Sequence, residues 1–110
     1  MRQATICYKG KDAGILKQHD NGSFSFIYLE AWLADPENPS ISLTLPRSQP
    51  EYHAEYLFPF FYHMLPEGTN RQTVCKANRL DSDDYFGILM TTARYDTIGA
   101  ITVRKNKEIK

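Results

Sequence analysis

The sequence predicts an α+β domain: a small antiparallel, barrel-like sheet of about five strands packed with about three helices. Three observations predict it. Apolar residues alternate with period two through the first half, and they change to helical spacing near Leu57. The length, 110 residues, accommodates one domain and no second, so residues 1–110 read as a single unit with 104–110 as a basic tail.

The elements follow in order. Ala4, Ile6 and Tyr8 alternate with Thr5, Cys7 and Lys9, the pattern of a half-buried strand. Gly10-Lys11-Asp12 is predicted as a turn, and Ala13 to Gln18 as the returning strand of a hairpin. His19-Asp20-Asn21-Gly22 contains Asn-Gly, the dipeptide most tolerant of positive φ. Beyond it Phe24, Phe26 and Tyr28 share a face, giving a third strand of a meander.

Leu29 to Ala34 has room for a turn or two of helix before Asp35-Pro36-Glu37-Asn38-Pro39 breaks it, because proline excludes its predecessor from helical geometry. Ile41, Leu43 and Leu45 alternate with Ser42 and Thr44, which predicts a fourth strand, with Pro46 to Pro50 as a polar loop. Leu57, Phe60, Phe61, Met64 and Leu65 then form an amphipathic helical stripe, with Pro59 tolerated in the first turn.

Leu65-Pro66-Glu67-Gly68 ends that helix. Thr69 or Asn70 is placed to cap a second helix running to about Asn78. Asp81 or Ser82 is placed to cap a third, with Asp83 and Asp84 at its positive end and Phe86, Leu89, Met90 and Ala93 on its buried face. Ile98-Gly99-Ala100 leads to a last strand carrying Ile101 and Val103.

Composition limits function. Thirteen Lys and Arg balance thirteen acids, against a direct nucleic-acid binder, whose affinity rests on neutralising phosphates. No apolar run reaches the roughly 20 residues of a membrane helix, and MRQATICYKG has no signal-peptide core, so a cytoplasmic location is expected. Cys7 and Cys75 belong to no CxxC pattern and read as free thiols. Arg104, Lys105, Lys107 and Lys110 make the tail basic, as a solvated end or a contact for an acidic partner.

Catalytic motifs are mostly missing. No phosphate-cradling glycine loop or nucleophile elbow occurs, and His19, His53 and His63 have no metal-ligand spacing. No cofactor is expected. Asp81, Asp83 and Asp84 suit either helix capping or a hard cation; Arg71 and Arg79 suit either solvated helix faces or an anion. A small hydrolase or metal enzyme would have to use His63, Glu67 and Asp84.

Six rings, Tyr52, Tyr56, Phe58, Phe60, Phe61 and Tyr62, crowd into residues 52–62. Phe60 and Phe61 lie on the buried stripe, while Tyr62 and Phe58 point elsewhere. Exposed rings beside Pro66-Glu67-Gly68 suit a protein interface, and a small core using all of them is the other account.

An ordered series of words is more specific than any one site. It runs from Asp20-Asn21-Gly22 through Ala31-Trp32-Leu33-Ala34 and Ile41-Ser42-Leu43-Thr44-Leu45-Pro46. It continues with Phe60 to Arg71, which contains Leu65-Pro66-Glu67-Gly68, then Asp84-Tyr85-Phe86-Gly87 and Asp96-Thr97-Ile98-Gly99-Ala100-Ile101. This series resembles the N-terminal subdomain of HipA, the serine/threonine-kinase toxin of bacterial toxin–antitoxin systems, across residues 4–104. One departure is that Arg94-Tyr95 precedes Asp96 where the family usually has Gly-Arg, so any family contact through that arginine does not transfer.

The resemblance implies no catalysis, because the subdomain supplies no catalytic residue and the kinase core follows it in the toxin. As a separate chain it resembles HipS, the small antitoxin component of HipBST systems. The implied partner is a HipA-like kinase toxin, HipT, with HipB supplying DNA binding through the complex and no direct contact to nucleic acid or membrane. The alternative implication is a structural N-terminal subdomain of a longer HipA-type kinase. On either footing, the contact surface is expected at Tyr62, His63, Met64, Pro66, Glu67 and Arg71.

Overall fold

A computed structural model describes residues 2–92 and 100–105. The elements are β1 (Arg2–Tyr8), β2 (Lys11–Gln18), β3 (Phe24–Tyr28), α1 (Glu30–Ala34), β4 (Glu51–Ala54), α2 (Pro59–Tyr62), α3 (Gly68–Asn78), α4 (Tyr85–Thr92) and β5 (Ile101–Lys105). The α+β class and the alternation of elements agree with the sequence. Ala93, Arg94-Tyr95, the Asp96-Thr97-Ile98-Gly99 word and the tail beyond residue 105 lie outside the described residues.

The five strands form one antiparallel sheet in the order β4-β3-β2-β1-β5. It is open rather than barrel-like: β4 and β5 occupy opposite edges. Closure is unnecessary because helices cover one face. Phe86 of α4 stacks on Phe24 at 6.2 Å, and Phe61 of α2 packs on Phe26 at 5.9 Å. Each ring is at least nine-tenths buried, so this layer removes the apolar area that offsets chain entropy.

The meander is built by turn chemistry. Lys9 and Gly10 both have positive φ, the requirement of a type I′ two-residue hairpin, so the β1–β2 turn lies one to two residues earlier than expected. At the second hairpin the Asn21 side chain accepts from the Ser23 N–H at 3.0 Å and Gly22 takes the positive φ. Register then sets Tyr28, Gly14, Ile6 and Val103 side by side across four strands. The bare Gly14 leaves the space into which the Phe26 ring folds.

Residues 41–45 are not a strand. Ile41 and Leu45 are buried, but a single Ser42–Leu45 bridge turns the chain back and leaves Leu43 wholly exposed. The turn is fastened from a distance: the Tyr28 hydroxyl donates to the Leu45 carbonyl and accepts from the Ile41 N–H. The fourth strand is instead Glu51–Ala54, paired with β3. It is an edge strand with Glu51 and His53 exposed and only Tyr52 and Ala54 half-buried, so its apolar alternation is faint.

The helix after Pro59 is shorter than its stripe. Leu57, Phe61 and Leu65 are buried and Phe60 and Met64 half-buried, as the spacing implies, but helical geometry stops at Tyr62. Bonds from Met64 to Phe61 and from Leu65 to Tyr62 tighten the exit to i→i+3 spacing. Pro66 bars Leu65 from continuing the helix. Phe58, expected to point elsewhere, is buried against Phe61 at 6.3 Å.

Cys7 and Cys75 are free and buried. Burial, then the neighbouring Asp12 carboxylate, pushes the Cys7 thiol above its ordinary pKa, so it carries little thiolate near neutrality.

Candidate functional site

Leu65-Pro66-Glu67-Gly68 forms the turn between α2 and α3. Glu67 is the extended N-cap residue of α3 and makes no side-chain cap bond. Gly68 has φ +54, a left-handed conformation that glycine adopts without the penalty a Cβ brings. The turn brings Arg71 back over its own entrance, where Nε donates to the Pro66 carbonyl at 2.9 Å.

Arg71 gathers two rings, the exposed Tyr62 and the half-buried Tyr85. Its guanidinium carbon lies 5.7 Å from the Tyr62 ring centre and 5.5 Å from that of Tyr85. The two tyrosines meet edge to face at 5.4 Å and 89°. A planar cation shared by two rings fixes their orientation at a cost in side-chain entropy that a free surface tyrosine avoids. Tyr62 keeps 39% of its area exposed in this arrangement.

Of the residues the sequence nominated, Tyr62, Pro66 and Arg71 are joined by contacts. His63 is exposed at the end of α2, with its ring 6.3 Å from Tyr62, and Glu67 is exposed. Met64 is half-buried and packs against the core. Tyr85 was not nominated. It enters from α4, fourteen residues beyond Arg71, and no local spacing marks it.

The acidic run resolves into a cap. Asp84, rather than Asp81 or Ser82, precedes α4 and accepts the Gly87 N–H at 3.1 Å. Its two oxygens also take a fork from Arg2, at 2.6 and 3.1 Å. Hydrogen bonds from Arg2 hold the Asp84 carboxyl below the usual aspartate range, against the opposing effect of burial. Arg2 also lies 5.2 Å over the Phe86 ring, so the first strand and the last described helix are riveted at one point. Arg79 ends α3 in a left-handed C-cap conformation while Arg71 sits on the tyrosines.

No group of three or more His, Cys, Asp or Glu among the described residues is placed to hold a metal ion. One hydrogen-bonded chain has the composition of a nucleophilic triad. Ser25 Oγ lies 2.7 Å from His53 Nδ1, and His53 Nε2 lies 2.5 Å from Glu51. His19 Nε2 contacts the same hydroxyl at 2.6 Å, and Ser25 is 1% exposed, so no substrate reaches it. The chain ties the β2–β3 turn to β4. His19 and His53, unrelated in sequence spacing, meet through it because Ser25 and His53 are register partners.

Beside the tyrosine pair lies a surface groove of about 380 Å³, between the β2–β3 hairpin and the helices. It is lined by Gln18, Gly22, Phe24, Glu55, Tyr56, Leu57, Tyr62, Asp83 and Tyr85. Tyr56 is 80% exposed. Packed rings, a polar rim and a shallow hollow are the ingredients of a protein-docking surface.

The HipA N-terminal domain profile matches residues 4–104. An uncharacterized protein of Haemophilus influenzae is 27% identical over 108 residues, which cover 98% of this chain and 96% of that protein. The putative kinase Y4mE of Sinorhizobium fredii is 28% identical over 89 residues, 81% of this chain but 21% of the kinase. A solved structure, the N-terminal domain of HipA toxin, superposes with a TM-score of 0.73 at 24% identity, covering 99% of this chain and 96% of that one. At that identity the likeness is one of fold.

Proposed function

This chain belongs to the HipA N-terminal domain family, and from that membership we propose that it is a non-enzymatic antitoxin subunit, which binds and restrains a HipA-like serine/threonine kinase toxin in the manner of HipS. The observation that carries the reading is the occurrence of the same domain in two settings. It makes up nearly all of the Haemophilus influenzae relative and about a fifth of the putative kinase. A domain that packs beside a kinase within one chain retains a complementary surface when it is encoded apart. Docking then becomes concentration-dependent, which lets its supply set the kinase activity.

The Arg71–Tyr62–Tyr85 stack is the surface best prepared for that contact. Its rings are held in place before a partner arrives, so little conformational entropy remains to be lost on binding. Restraint follows either by occupying the kinase cleft or by holding its lobes apart. HipB-type DNA binding belongs to the larger complex in this account, and the subunit carries out no chemistry of its own.

Capture of a HipA-like kinase from the same genome tests the contact. Tyr62→Ala is expected to retain the fold, by circular dichroism, and to weaken capture about tenfold or more. Met64→Ala is expected to lose some stability as well, because its side chain packs on the core. Unchanged capture by both folded variants would move the contact elsewhere on the domain. The alternative, a structural subdomain within a longer kinase, is favoured by the Y4mE alignment and is separated by reading the coding sequence downstream.

A further inference from the structure

We propose that the groove beside Tyr62 and Tyr85 is a socket for a basic side chain, arginine or lysine, of the protein that docks on this face; the identity of that protein rests on the reading above.

The charged residues that line the groove are both acidic, while Arg2 and Arg71 stand behind it against Gln18 and the tyrosines. Glu55 and Asp83 are exposed at it, no Lys, Arg or His lines it, and neither acid is in an ion pair among the described residues. Its lining is aromatic: Tyr56, Tyr62 and Tyr85 supply rings of the kind that attract a cation, Tyr62 and Tyr85 already carrying Arg71, and Phe24 and Leu57 add apolar surface. At about 380 Å³ it stands at the small end of ligand sites, which span roughly 300–1,000 Å³, and suits one long side chain.

The molecule already contains a filled example of this chemistry. Asp84 and Phe86, two residues apart at the start of α4, hold the Arg2 guanidinium between a carboxylate fork and a ring. Asp83 and Tyr85 repeat that carboxylate-and-ring spacing one residue earlier, and both face the groove. Arg71 rests on Tyr85 and Tyr62 from outside the groove's lining and forms no ion pair with Glu55 or Asp83 among the described residues. A basic side chain would complete in trans what Arg2 completes in cis. An acidic or phosphorylated segment would meet two carboxylates and be repelled.

The test is a titration of the 15N-labelled full chain with the peptide acetyl-Gly-Arg-Gly-Arg-Gly-amide, followed by amide shifts. The citrulline analogue, which is neutral but nearly the same shape, is the control. The expected result is a set of shifts confined to Gly22, Tyr56, Leu57 and Tyr85, weaker with citrulline. Affinity is expected to fall about fivefold in the folded Glu55→Gln/Asp83→Asn variant. No shifts, equal shifts with citrulline, shifts elsewhere, or an unaltered double variant would each overturn the socket. Kinase capture separates the two readings. Capture that is equally strong with the double variant overturns the socket and leaves the docking role standing. No capture by the wild-type chain overturns the docking role, while the peptide titration still decides the groove.

Discussion

Gly14→Ala is expected to destabilise the domain by about 3 kcal/mol, at the upper end of the range for an overpacked core. A Cβ built at Gly14 would lie 2.6 Å from the Phe26 ring and 2.7 Å from the Ile27 carbonyl oxygen. The ring has nowhere to go, because Phe26 is wholly buried between Tyr28 at 4.9 Å and Phe61 at 5.9 Å. The oxygen belongs to the β2–β3 ladder, so moving it strains the backbone at the centre of the sheet. Against a total stability of roughly 5–15 kcal/mol for a domain of this kind, such a loss is large. It should appear as a fall of at least about 10 °C in the thermal midpoint. An unchanged midpoint would mean that the Phe26 ring does not lie over Gly14.

Asp84→Ala carries the second large expected effect, about 2 kcal/mol near neutral pH. The substitution removes together the cap on α4, which is the hydrogen bond from the Gly87 N–H, and the fork from Arg2. The figure is held down because Arg2 is 40% exposed and solvent screens its half of the pair. The pH dependence has a definite sign. Hydrogen bonding from Arg2 lowers the Asp84 pKa in the folded state, so the ionised carboxylate binds its proton more readily after unfolding. Its stabilisation is therefore complete above the ordinary aspartate pKa of about 3.9 and is lost as pH falls through the lower folded value. The stability gap between wild type and Asp84→Ala, measured by urea unfolding, is expected to be constant from neutrality to mild acid and to narrow in strong acid. A gap that widens with acid would contradict the fork.

What the sequence makes legible is the part that depends on neighbours along the chain. Ala4-Ile6-Tyr8 and Phe24-Phe26-Tyr28 announce strands by their apolar alternation, although Thr5, Cys7 and Ser25 on the opposite face are buried too, and Leu57-Phe61-Leu65 announces the buried face around α2. The misreadings have a common origin in contacts made across the chain. Ile41-Leu43-Leu45 alternates like a strand, yet Tyr28 closes it into a turn from thirteen and seventeen residues away. Glu51–Ala54 lacks the alternation but pairs with β3 along its whole length.

The candidate site divides in the same way. Pro66 and Arg71 are close in sequence and a turn brings them together, so the local word already located them. Tyr85, which completes the stack, and Arg2, which meets Asp84 from 82 residues away, are visible only in three dimensions. The cap is a smaller instance. Three aspartates stand before α4, and Asp84, directly before its first residue, is the one that accepts the Gly87 N–H and also receives Arg2.

The central claim is that this domain works by docking on a kinase and holding it inactive. The most direct measurement mixes this purified 110-residue chain with a purified HipA-like kinase from the same genome and follows both complex formation and autophosphorylation. The account predicts a stable complex and a phosphorylation rate that falls in step with its occupancy. A kinase that keeps its full rate at saturating concentrations of this chain, or that forms no complex with it, would contradict the account.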